Sequence, residues 1–252
     1  MTLSTPMTRS ALRALGALAL LGAAAATHAH QIWIEQPAGQ KTAIVRFGEF
    51  GENLREASPG SLDKFGRPTA TLLSAGGDRE SPARKSADGF ALPFGAVRGD
   101  AIVAEDADYP LYTWKQGERE TQNRYYPAAR LVTRLEPQPP RLTLDLVPIS
   151  DQGEFRLFFK GEPRPRTKVT LVTQSGWAKE AQTDAQGLVR FDMPWRGTYV
   201  AEVSVNDRSA GERPGANGPE RFEGTSYVTT LTYVKADGVA PIPAAPTATP
   251  HP

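Results

Sequence analysis

Arg141-Leu142-Thr143-Leu144-Asp145-Leu146-Val147 decides the fold class. Successive side chains of a β-strand point to opposite faces, so Leu142, Leu144 and Leu146 line one apolar face while Arg141, Thr143 and Asp145 are expected to face out. The same short pattern recurs on both sides of it. Gln31 to Glu35, Thr42 to Phe47, Thr69 to Ser74, Ala101 to Glu105 and Arg130 to Leu135 read as strands before it, and Phe155 to Lys160, Lys168 to Thr173, Leu188 to Phe191 and Thr198 to Val203 after it. No long segment keeps a helical period. A local turn of helix fits only the polar stretches Gly51 to Asp63 and Glu118 to Tyr126. With 23 glycines and 22 prolines to supply turns, the chain is expected to be all-β, built as two antiparallel β-sandwich-like domains with long loops.

Pro137, Pro139, Pro140 and Pro148 interrupt the strand pattern and suggest a boundary there. The expected organisation is a signal peptide over 1–29, an N-terminal β domain over 30–147, a C-terminal sandwich over 148–236 and a disordered Pro/Ala-rich tail over 237–252. Within the second domain, Thr183-Asp184-Ala185-Gln186-Gly187 is a tight turn in which Gly187 takes the positive-φ position. The stretch Asn206 to Gly224 shows no strand pattern. Loops of that length are often functional or disordered.

The first residues have the layout of an export signal. Arg9 and Arg13 precede the apolar run Ala14 to Ala26, which is well short of the roughly 20 residues that span a bilayer. Small residues follow, and cleavage fits after Ala25, Ala26 or Ala29. No later segment is long and apolar enough to span, so the mature chain is expected to lack a membrane span and to be periplasmic or secreted. The formal charge of +1 over 252 residues becomes −1 once Arg9 and Arg13 are removed. Basic and acidic residues are interspersed throughout, which argues against nucleic-acid binding. The absence of cysteine excludes disulfides, thiolate metal sites and thiol catalysis.

The chain has three histidines: His28, His30 and His251. Each cleavage site gives a different ligand set. Cleavage after Ala29 would make His30 terminal, so that its amine and ring could chelate an ion together. Cleavage after Ala25 would put His28 third, a position that favours square-planar Cu(II) or Ni(II). Carboxylates to complete such a site are available at Glu49 and Glu52, beside Gly51, and at Asp207, Glu212, Glu220 and Glu223. Each also has a bland reading. His30 shares a strand side with Ile32 and Ile34 and reads equally as a strand-end residue bonded to backbone. The acids read as solvated partners of Arg55, Arg208, Arg213 and Arg221, and His251 as a solvent-exposed tail residue.

With no histidine between His30 and His251, a Ser-His-Asp arrangement lacks its base. Paired acids for glycoside hydrolysis remain open. Trp33, Trp114, Trp177 and Trp195 could line a sugar cleft, although tryptophans in β proteins more often pack cores.

Residues 153 to 205, through Thr183-Asp184-Ala185-Gln186-Gly187 and Gly197-Thr198-Tyr199-Val200, resemble the transthyretin-like or carboxypeptidase-regulatory-like sandwich. That resemblance implies a supporting or binding module and no catalysis. Ala29 to Glu35, Phe47 to Glu52 with Leu62-Asp63, Ser175-Gly176-Trp177 and Tyr227 to Thr232 resemble an exported bacterial family of unknown function, some of whose members are described as periplasmic components of nickel uptake. What this implies is a periplasmic β-rich protein with a role in divalent metal. The expectation is therefore a non-enzymatic accessory protein binding nickel or copper through His30, His28, Glu49 and Glu52, and serving a membrane metal transporter. A metal-independent cell-envelope interaction or adhesion protein is the alternative, and carbohydrate binding the third reading.

Overall fold

The computed structural model describes residues 30–66 and 68–251. Among the described residues the fold is all-β, apart from two single 3-10 turns at Phe50–Glu52 and Ser61–Lys64. Its centre is a nine-stranded sheet. In spatial order this runs Ala178–Gln182, Lys168–Thr173, Gly197–Asp207, Gly224–Lys235, Arg119–Val132, Ala101–Glu105, Thr69–Leu73 and Arg79–Pro82, with Tyr112–Gln116 paired to the start of Arg119–Val132. Neighbours are antiparallel except Arg119–Val132 and Gly224–Lys235, which run parallel from Asn123↔Gly224 to Val132↔Tyr233. The expected division at 147/148 falls inside the strand Leu144–Ser150, and the central sheet takes strands from both sides of it.

A smaller sheet covers each face. One holds Gln31–Glu35, Ile44–Glu49, Phe90–Ala91, Arg84–Lys85 and Leu54–Arg55. Its Ile32, Ile34, Val45 and Phe47 pack against Leu72, Ile102, Ala129 and Leu131 of the central sheet, while Trp33 and Phe50 close on Val172 and Val200. The other sheet is formed by Leu144–Ser150, Glu154–Phe159, Glu162–Pro163 and Leu188–Arg190. Its Leu144, Leu146, Phe155 and Leu157 meet Val132, Val169, Ala201 and Leu231. Alternation along the inner central strands serves both layers: on Arg119–Val132, Ala129 and Leu131 face the first, Val132 faces the second, and Ala128 packs with Val103 and Leu142.

Leu142, Leu144 and Leu146 are buried as expected. Asp145 is not on an outer face. It and Arg130 are both 0% exposed, with Arg130 Nε and Nη2 donating to its two carboxylate oxygens at 2.9 and 2.6 Å. The stretch Glu118 to Tyr126 forms no helical turn. Residues 119–126 belong to the long strand Arg119–Val132, whose first part makes a hairpin with Tyr112–Gln116. Asn206 to Gly224 contains a small hairpin, Gly211–Arg213 against Glu220–Phe222. Gly187 takes φ +75 in its turn, as expected. Among the described residues, no helix is long and apolar enough to cross a membrane.

Candidate metal centre

His30 immediately precedes the strand Gln31–Glu35, and Tyr125 Oη donates to its carbonyl at 2.7 Å, fixing the backbone where the strand begins. Gln31 pairs with Gly48. The next residues outward, His30 and Glu49, are therefore cross-strand neighbours, and His30 Nδ1 lies 3.2 Å from Glu49 Oε1. Phe47 packs against the imidazole with ring centroids 5.1 Å apart.

The chain then reverses. After the 3-10 turn Phe50–Glu52, Asn53 adopts the left-handed conformation at φ 53, and Leu54–Arg55 returns along the strand it has just left, pairing with Gly48 and Glu49. Glu56 N–H donates to Phe47 O at 2.8 Å. This places the Glu56 side chain, 0% exposed, against His30, with Oε1 2.5 Å from Nε2.

The third member arrives from the far end of the chain. The segment 237–251, expected as a disordered tail, carries no strand of its own, yet it lies along the body. Val239 bridges to Trp195, Ala245 N–H donates to Gln174 O at 3.3 Å, and Asn53 Nδ2 donates to Ala245 O at 2.8 Å. Ala248 N–H donates to Asn53 O at 3.3 Å, and His251 N–H donates to Glu56 Oε2 at 2.8 Å. His251 Nδ1 is then 2.5 Å from Glu56 Oε1, the oxygen that also meets His30. Gly60, at φ +145, makes room for this approach, since a Cβ there would stand 2.7 Å from His251 O.

His30, Glu56 and His251 thus offer three ligand atoms within 4.8 Å of one another, close to what bonds of about 2.0–2.2 Å to a common centre can cover. Two imidazoles with a carboxylate form a borderline N/O donor set that suits nickel, copper or zinc. Burial pushes the Glu56 carboxyl up, but the hydrogen bonds from His251 and His30 outweigh it and hold the group below its usual value. The neighbouring cations are engaged elsewhere: Arg55 Nη2 and Arg46 Nε hold Glu35 at 2.6 and 2.8 Å. Beneath the centre, burial and then the nearby Glu49 carboxylate raise Glu202 to about 7, against a hydrogen bond to Gln31.

Of the residues named from sequence, the structure brings His30 and Glu49 together. Glu52 is exposed at the end of its 3-10 turn and takes no part in the group. His28 and the signal segment lie outside the described residues. The loop acids are ion-paired, Asp207 with Lys160, Glu212 with Arg221, Glu220 with Arg213 and Glu223 with Arg119. A chelate closed by a terminal His30 amine would use Nδ1, which faces Glu49, whereas the cluster uses Nε2. Sequence reasoning missed Glu56 and set His251 in solvent. Glu56 is carried back past Glu49 by the left-handed turn at Asn53, which the residues around it do not announce. Trp33 is core and Trp177 packs edge-on to Trp195 at 4.8 Å, so no tryptophan-lined cleft forms from them.

No protein-family model matches the chain. No curated protein matches it either. Among solved structures, a two-domain fibronectin type III segment of chicken tenascin is similar at 13% identity and a TM-score of 0.21, covering 79% of this chain and 96% of that one. A structure of a 1.5-MDa bacterial ice-binding adhesin is similar at 10% identity and a TM-score of 0.23, covering 84% of this chain and 65% of that one. Likeness at these scores carries neither topology nor function over to this chain.

Proposed function

We propose that this is an exported protein that binds a divalent transition metal, nickel or copper, at His30, Glu56 and His251, with Glu49 beside His30, and that it acts as an accessory to a membrane metal transporter. The observation that carries the reading is the meeting of two of the chain's three histidines on one buried carboxylate oxygen. Residues this far apart in sequence converge on Glu56 through a strand register, a chain reversal and a tail contact, each with its own hydrogen bonds. Placing a carboxylate at 0% exposure costs free energy unless it is paired, and here both of its partners are also metal-ligand side chains. Periplasmic location and service to a transporter are the part of the proposal that rests on the family resemblance.

Calorimetric titration of the mature protein with Ni(II) and Cu(II) tests the site. One equivalent should bind, with Cu(II) tighter than Ni(II) as the Irving–Williams order requires. His30→Ala and Glu56→Gln should each weaken binding by at least about tenfold. Binding unchanged in both variants would remove the cluster from the reading. No binding at all would favour the metal-independent interaction protein.

A further inference from the structure

The last residues of the chain differ in kind from every other part of the centre. His30, Glu49 and Glu56 stand on hydrogen-bonded strands or directly beside them. His251 hangs from a segment whose residues 237–251 are exposed throughout, apart from a half-buried Ala245 and Ala248. Apolar burial does not hold this segment: Val239 and Ile242 are 59% and 44% exposed. A short series of hydrogen bonds does, from Val239 at Trp195 to His251 at Glu56. Segments with few buried contacts and solvent-accessible hydrogen bonds open at low free-energy cost. Pro241, Pro243, Pro246 and Pro250 restrict the backbone, so docking orders little that is not already stiff.

We infer that residues 239–251 form a ligand-bearing strap over the metal centre, and that metal binding and strap docking are one coupled equilibrium. This rests on the metal reading above and adds its regulation. Docked, the strap supplies the His251 imidazole. Lifted, it leaves a half-site of His30 and Glu56 with an open position that an imidazole or carboxylate of an acceptor can enter. His251 is the ligand whose departure costs the fold least, since no strand has to move with it. It is also the ligand nearest solvent, 56% exposed against 28% for His30. Coupling is reciprocal: whatever factor the docked strap adds to metal affinity, the metal adds to strap docking.

Hydrogen exchange of the tail in the full-length mature protein, read by mass spectrometry with and without Ni(II) or Cu(II), tests the coupling. The reporters are the amides of Val239, Ala245, Ala248 and His251, each of which donates to the body. In the wild type the ion should slow their exchange by about tenfold or more. In His251→Ala the ion should still bind, at least about tenfold more weakly and with faster dissociation, and tail exchange should no longer respond to it. Binding by the wild type with tail exchange unchanged overturns the strap and leaves the metal site standing. Affinity in His251→Ala equal to wild type overturns it likewise. Absence of binding in the wild-type calorimetry removes both readings together.

Discussion

Replacing Asp145 with alanine should be among the most damaging single changes away from the His30, Glu56 and His251 cluster. Its carboxylate accepts four N–H groups: Arg130 Nε at 2.9 Å, Arg130 Nη2 at 2.6 Å, Arg141 N at 2.7 Å and Leu142 N at 3.1 Å. Asp145→Ala leaves a guanidinium at 0% exposure without its counter-charge, and breaking a buried pair from one side costs about 3–5 kcal/mol. Gln138 Oε1 still accepts from Arg130 Nη1 at 2.7 Å, which softens the loss, while two backbone donors lose their acceptor, at about 1–3 kcal/mol for a buried one. The net expectation is a loss of about 4 kcal/mol, a large share of the 5–15 kcal/mol typical of a domain. Exchanging the pair for apolar side chains, Arg130→Met with Asp145→Leu, removes both charges and should cost less than Asp145→Ala alone. Guanidinium unfolding followed by tryptophan fluorescence measures all of these, with the slopes compared to check that unfolding stays two-state. A loss below about 1 kcal/mol for Asp145→Ala, or a double variant equal to the sum of its single changes, would refute the argument that this pair ties the central sheet to the covering layer.

Two further outcomes follow from groups near the centre. The folded protein holds the Glu202 proton up to about pH 7, against an ordinary value of 4.5, so between those values the folded state binds more protons than the unfolded one. Stability should therefore fall as pH rises from about 4.5 to about 7 and level off above, by at most about 3 kcal/mol from this group. Unfolding curves at pH 5 and pH 8 should differ in the wild type and differ less in Glu202→Gln, and an unchanged difference would remove Glu202 as the cause. Gly60→Ala should cost about 1–3 kcal/mol, because it forces a side chain onto φ +145 and into the His251 carbonyl. Tail exchange should quicken more than exchange of the central strands, and uniform quickening would show that the change lowers global stability without loosening the tail in particular.

The strands Gln31–Glu35, Ala101–Glu105 and Lys168–Thr173 were legible in sequence to the residue, because each has buried apolar residues and is followed by turn residues. Of Arg119–Val132 only the last three residues were legible, as the start of a strand expected to run on to Leu135. Its Arg130 end alternates over two cores, whereas its first residues form a hairpin with Tyr112–Gln116 that buries little and so carries no apolar period. Asp145 was misplaced because alternation assumes water on the second face, and here Arg130 from another sheet occupies it. The three-residue strands of the Gly211–Arg213 hairpin are too short for any period to register. At the centre, His30 and Glu49 were readable since a two-strand register makes them neighbours. Glu56 depends on a left-handed residue at Asn53, and His251 on contacts made across the whole chain, neither of which leaves a local pattern.

The parallel pairing at the middle of the central sheet also sets the order in which the protein can be made. Asn123 meets Gly224, partners roughly 100 residues apart in sequence, and contacts of such separation form slowly because the intervening loop must close first. Until residue 235 is synthesised, the strand Arg119–Val132 keeps an open hydrogen-bonding edge along its most apolar stretch. A chain stopped before that point leaves this edge of the sheet open, the kind of edge that associates with its own copies.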